Sequence, residues 1–125
     1  MREVVVHATH HPGELARIAN ALSLKSVNIR SLAALAIGHQ GQVRIIPDDI
    51  EAARSALQDA NIRFEENEVV TILLENHAGE LTGVAAKLAD AGLNLDAAYV
   101  IGVGSDMVEL ALAVSDVKKA KKVLE

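Results

Sequence analysis

The chain has 125 residues, no cysteine, and Phe64 and Tyr99 as its aromatic residues. Its formal charge of −5, from 12 basic and 17 acidic residues, disfavours a phosphate backbone as partner. The missing cysteine excludes disulfides, thiolate metal sites and a cysteine nucleophile. No apolar leader follows Met1-Arg2-Glu3 and no stretch approaches about 20 apolar residues, so a soluble cytoplasmic protein away from membranes is expected.

In chain order, Glu3 to Ala8 is a β-branched run of strand length. Leu15, Ile18, Ala19 and Leu22 then recur at i, i+3, i+4 and i+7, which is one face of a helix. Pro12 suits the first turn of that helix, where its missing N–H loses nothing. Asn28 to Ile37 and Gln42 to Ile46 read as two strands joined near Gly38 and Gly41. Asp48 or Asp49 starts a second helix with Ile50, Ala53 and Leu57 inward, and Ile62 to Glu66 supplies a fourth strand.

From Glu68 the order begins again. Glu68 to Glu75 copies the first strand, and Leu81, Val84, Ala85 and Leu88 copy the helix face. The copying is a repeat at fixed offset. His11-Pro12-Gly13-Glu14-Leu15 returns 66 residues later as His77-Ala78-Gly79-Glu80-Leu81, and Val27-Asn28-Ile29 returns as Leu93-Asn94-Leu95. Gly38 matches Gly104, after which an offset of 67 aligns Asp49, Ile50, Ala53 and Leu57 with Asp116, Val117, Ala120 and Leu124. Lys118, Lys119, Lys121 and Lys122 lie on this last helix, where a solvated face and the C-terminal dipole account for them.

The expected class is therefore α+β: two tandem ferredoxin-like βαββαβ units, 1–67 and 68–125, with antiparallel sheets and helices on one face. The second unit is expected to lack its last strand, since the sequence stops after Leu124-Glu125. Several strands are apolar on both parities, as in Leu32 to Ile37 and Leu110 to Val114. A strand greasy on both faces is covered on both faces, so a homodimer covering the open face is expected.

The loop before each first helix is the candidate site. A helix N-terminus offers free N–H groups and a positive dipole end, which accept a carboxylate. Gly13 and Gly79 sit there, and Asn28 and Asn94 open the second strands with both a donor and an acceptor, which suits a zwitterion. The pattern His/Asn-x-Pro-Gly-x-Leu, an amphipathic helix and Val-Asn-Ile resembles the ACT domain. That resemblance spans the chain twice, except for the last strand, and implies amino-acid-sensing regulatory units with no cofactor. It implicates His10, His11, Gly13, Leu15 and Asn28 in the first unit, and Asn76, His77, Gly79, Leu81 and Asn94 in the second. The first unit has His10 where the family carries an acidic residue or Asn, and the second has Ala78 in place of the proline. The implied partners are a free amino acid and an effector protein such as a biosynthetic enzyme.

Other readings compete. RNA-recognition domains of the same strand order stack bases on aromatics that Val4-Val5-Val6 and Gln42 to Ile46 lack. Heavy-metal chaperones of this topology need a Cys-x-x-Cys loop. His7, His10 and His11 crowd one strand end and form an alternative nickel or zinc set. A purely structural subunit-interaction module is a further alternative. No nucleophile–base pair or carboxylate pair marks an enzyme, and Glu14 and Glu80 are explained by the helix dipole.

Overall fold

The computed structural model describes residues 1–9 and 11–125. It divides into two compact units, Arg2–Asn67 and Glu68–Glu125, the latter with Met1. The first contains β1 (Arg2–Thr9), α1 (Glu14–Leu24), β2 (Ile29–Ile37), β3 (Gln40–Pro47), α2 (Ile50–Asp59) and β4 (Glu65–Glu68). The second contains β5 (Val70–Glu75), α3 (Glu80–Asp90), β6 (Leu95–Val103), β7 (Met107–Val114) and α4 (Val117–Leu124). The strands make two separate sheets, in the orders β2-β3-β1-β4 and β5-β7-β6. The expected α+β class is present, and the second sheet has three strands.

Alternation along the strands sets the core. Val4, Val6, Val43 and Ile45 face the helices and pack with Ile18, Leu22, Ala53, Leu57 and Ile62. In the second unit Val70, Leu110 and Leu112 do the same against Val84, Leu88 and Ala120. Phe64 packs against the margin of the first cluster, and close packing of aliphatic side chains carries the cohesion inside both. The periodic positions Leu15 and Leu81, expected inward, are exposed at the first turn of their helices, where the core ends.

Strand alternation also places Val5, Ile46, Ala111 and Ala113 on the face away from the helices, and they too are buried in the single chain. Two element boundaries also differ. α1 starts at Glu14 with Gly13 as its N-cap, so Pro12 lies in the turn before it. The fourth strand starts later, at Glu65, because Ile62 is drawn into the core and its N–H closes the end of α2 on the Leu57 carbonyl at 2.9 Å.

The change of repeat offset from 66 to 67 has a local cause. β2 and β3 pair down to Ile37↔Gln40, a two-residue turn of Gly38 and His39. β6 and β7 close at Val103↔Val108 and carry a bulge between Val100 and Gly102. The extra residue is absorbed in that longer hairpin.

Candidate functional site

The four helices begin in two different ways. Asp49 caps α2, its side chain accepting from the Ala52 N–H, and Asp116 caps α4 through the Lys119 N–H. Such caps satisfy one of the free donors of the first turn. α1 and α3 begin at Gly13 and Gly79, both left-handed with φ 92°, and neither start has a side-chain cap. Nothing lies within 4 Å of a Cβ built on either glycine. Backbone handedness, not crowding, selects glycine there. Among the described residues, the N–H groups of these two first turns are left for a ligand or solvent.

In the first unit this start opens onto a groove. Leu32, Ala34 and Ala36 of β2 pair with Ile45, Val43 and Gly41, which puts them on the helix-facing side, yet they are exposed. α1 does not reach over this end of the sheet. The resulting groove, about 330 Å³, runs between Gly13, Glu14 and Leu15 on one side and Ala8, Ala34 and Val43 on the other, with His11 and Gln42 at its polar margin. The Glu14 carboxylate is held at 3.0 Å by Arg17 and lies 3.1 Å from His11 Nε2. The hydrogen bond from Arg17 keeps Glu14 below the usual carboxylate range.

The second unit has the same backbone and different chemistry. Asn76 and His77 line a shallow polar cleft with Glu75, Ser105, Asp106 and Met107, and the Asn76 N–H donates to the Asp106 carbonyl at 2.8 Å. Leu81 stands apart on an exposed apolar face of α3 with Ala85, Ala86 and Ala89. His77 Nε2 lies 2.7 Å from Glu75 and 3.0 Å from Glu80. The Glu75 hydrogen bond, then the Ala78 carbonyl, raise the His77 pKa above its ordinary value.

The structure thus brings His11, Gly13 and Leu15 together, and Asn76 with His77 and Gly79 in one loop. It does not bring the two asparagines to them within a unit. β2 runs antiparallel to β3, and β3 antiparallel to β1, so Asn28 stands beyond Ile29↔Pro47 while Thr9 sits by Gln40. Eight strand steps, about 26 Å, separate the ends of β2. Asn28 receives a hydrogen bond on its carbonyl from the Asp48 N–H and donates its own N–H to the Asp48 side chain, both at 3.0 Å. Asn94 accepts from the Ser115 N–H at 3.2 Å. Both asparagines are exposed. His10 lies outside the described residues. His7 faces Glu65 at 3.8 Å and His11 faces Glu14, so these two histidines have separate carboxylate neighbours.

No protein-family model matches the sequence, and no curated protein matches it. Solved structures do match its fold. Protein BT0572 from Bacteroides thetaiotaomicron superposes with a TM-score of 0.87 at 22% identity, over 98% of this chain and 85% of that one. The regulatory subunit of aspartate kinase from Thermus thermophilus gives 0.66 at 13% identity, over 98% and 88%. A structure of aspartokinase alpha and beta subunits gives 0.68 at 13%, over the same shares. The fold is that of a tandem ACT protein.

Within this ACT fold, two features escaped the sequence reading. Glu3 and Arg44, on adjacent strands, form a buried ion pair. Glu75 and Glu80 converge with His77, so that one ligand atom from each lies within 4.8 Å of the others. The repeat contained the signal for the second. At the offset of 66, Thr9 becomes Glu75, His11 becomes His77, Glu14 becomes Glu80 and Arg17 becomes Gly83.

Proposed function

We propose that this protein is a non-catalytic sensing module that binds a free amino acid and passes the occupancy to an effector protein. The observation that carries this reading is the uncapped start of α1 beside an apolar groove. The ligand carboxylate takes the free N–H groups after Gly13, where the dipole favours a negative charge. Its side chain lies along Ala8, Ala34, Val43 and Leu15, a lining that favours an aliphatic residue over a charged one.

The zwitterion also needs a partner for its ammonium group. Asn28 and Asn94 are suited to this, but each lies at the far end of its own sheet. The site is therefore completed by the second-strand start of a different ACT unit. A ligand bridging two units stabilises the arrangement that contains both halves, by its differential affinity alone. An effector that reads that arrangement receives the signal. The aspartate kinase regulatory subunit among the similar structures supports such a role by its name.

Thermal denaturation of the full chain with each of the twenty amino acids tests the reading. A ligand at 100 times its dissociation constant adds about 2.7 kcal/mol, a rise of several degrees. We expect a rise with one or a few aliphatic amino acids, lost on Ala34→Glu and reduced by Asn28→Ala with Asn94→Ala. No rise with any amino acid at millimolar concentration would refute it, as would a rise indifferent to these substitutions.

A further inference from the structure

The repeat makes a controlled comparison of two loops with one backbone. In the first, His11 faces one carboxylate, Glu14, and Arg17 holds that carboxylate at 3.0 Å. In the second, Thr9 is replaced by Glu75, which adds a carboxylate, and Arg17 by Gly83, which removes the cation. Glu75, His77 and Glu80 are left to converge on one another.

The three ligand atoms stand at hydrogen-bonding distances, a little closer than in a coordination sphere. Ligand atoms about 2.1 Å from a tetrahedral zinc ion stand about 3.4 Å apart. His77 Nε2 lies 2.7 Å from Glu75 Oε2 and 3.0 Å from Glu80 Oε1, so outward movements of less than an ångström admit an ion. The imidazole is already oriented for it. His77 Nδ1 faces the Ala78 carbonyl at 3.2 Å, and a carbonyl oxygen can only accept, so Nδ1 carries a proton; Nε2, which donates to the Glu75 carboxylate in the metal-free chain, gives up its proton to solvent when an ion takes its place. Metal-binding histidines are held in this way, with the other ring N–H on a backbone carbonyl. The elements position the set: Glu75 ends β5, Glu80 opens α3, and His77 lies in the loop between them. The adjoining cleft, lined by Ser105 and Asp106, leaves room to complete the sphere with water or the Asp106 carboxylate.

From this we infer that the β5–α3 loop binds one divalent transition-metal ion through Glu75, His77 and Glu80. One imidazole with two carboxylates suits zinc, cobalt or manganese and offers nothing specific to a soft ion such as copper(I). The inference does not rest on the amino-acid reading of the first unit's groove, and it concerns residues other than the His7, His10 and His11 set.

The test is titration of the metal-free full chain with zinc chloride by calorimetry, and with cobalt chloride by visible absorption, in a buffer that does not chelate. One equivalent is expected, with a tetrahedral or five-coordinate cobalt spectrum. Two substitutions that rewrite the second loop as the first, Glu75→Thr and Gly83→Arg, should each weaken binding at least tenfold. Gly83 has open space at its Cβ position, so Gly83→Arg keeps the fold, which circular dichroism verifies. His11→Gln and His7→Gln should leave the affinity unchanged. Absence of binding at millimolar zinc overturns the inference. So does binding that survives both loop substitutions, or binding that is lost with His7 or His11 instead.

Discussion

Arg44 Nη1 reaches from β3 to Glu3 Oε2 on β1 at 2.7 Å, with Glu3 wholly buried and Arg44 8% exposed. The pair is satisfied on both sides: Arg44 Nε donates to Gln42 at 3.0 Å, and Asn67 Nδ2 donates to Glu3 at 3.3 Å. A buried pair of this kind gains little net stability over apolar residues, because desolvation offsets the attraction. Removing one partner is another matter, since it strands a charge. Glu3→Ala or Arg44→Ala should each cost about 3–5 kcal/mol in urea unfolding, and Glu3→Leu with Arg44→Met should cost much less than their sum.

Glu66 gives the first unit an acid-sensitive contact. It receives bonds from Arg54 at 2.9 Å and from Arg2 at 2.6 Å. The Arg54 hydrogen bond, followed by that of Arg2, holds its pKa down from 4.5 to about 2. A carboxyl with a folded value below its unfolded one favours folding above the unfolded value. That contribution is complete above pH 4.5 and disappears as the pH falls through about 2. The melting temperature of Glu66→Gln should lie below that of the parent at neutral pH, and the two should converge over that acidic interval. A constant gap across the interval would contradict the assignment.

Glycines of the two first helices should respond oppositely to alanine. Gly13 and Gly79 hold φ at 92°, so Gly13→Ala or Gly79→Ala should destabilise by about 1–2 kcal/mol despite the open space. Gly83 lies inside α3 with nothing near its Cβ position. Gly83→Ala should stabilise by about 0.5–1 kcal/mol. Chemical denaturation of the three variants reads both signs.

The aspartate caps provide a further comparison. Asp49→Ala removes the acceptor of the Ala52 N–H, and Asp116→Ala that of the Lys119 N–H. Each should cost about 1 kcal/mol. Asn replacements, which keep an acceptor oxygen, should recover most of the loss.

The repeat made much of the fold legible in the sequence, because equivalent apolar positions and glycines confirm one another across the two copies. Strands and helices with a clear period fell near their expected places. Glu65–Glu68 did not, since Glu-Glu-Asn-Glu has no apolar period to read. Pro12 misled because the helix start is fixed by the left-handed Gly13, a backbone property that composition does not display. The Glu3–Arg44 pair joins residues 41 apart in sequence, and strand register alone brings them together. The groove beside α1 depends on how far the helix extends over β2, which no local pattern specifies. Of the site residues, the loops were legible from their repetition. The distance from Asn28 to its own loop follows from strand direction and is visible once the hairpin is drawn.

The two kinds of helix start also divide the molecule's dependence on its medium. α2 and α4 are finished by their own aspartates, whereas α1 and α3 have first turns that answer to whatever is dissolved around them. Simple carboxylates such as acetate should therefore slow amide exchange at the beginnings of α1 and α3 and leave α2 and α4 untouched. The choice of buffer anion becomes an experimental variable for this protein, and chloride buffers the proper reference for any ligand measured against it.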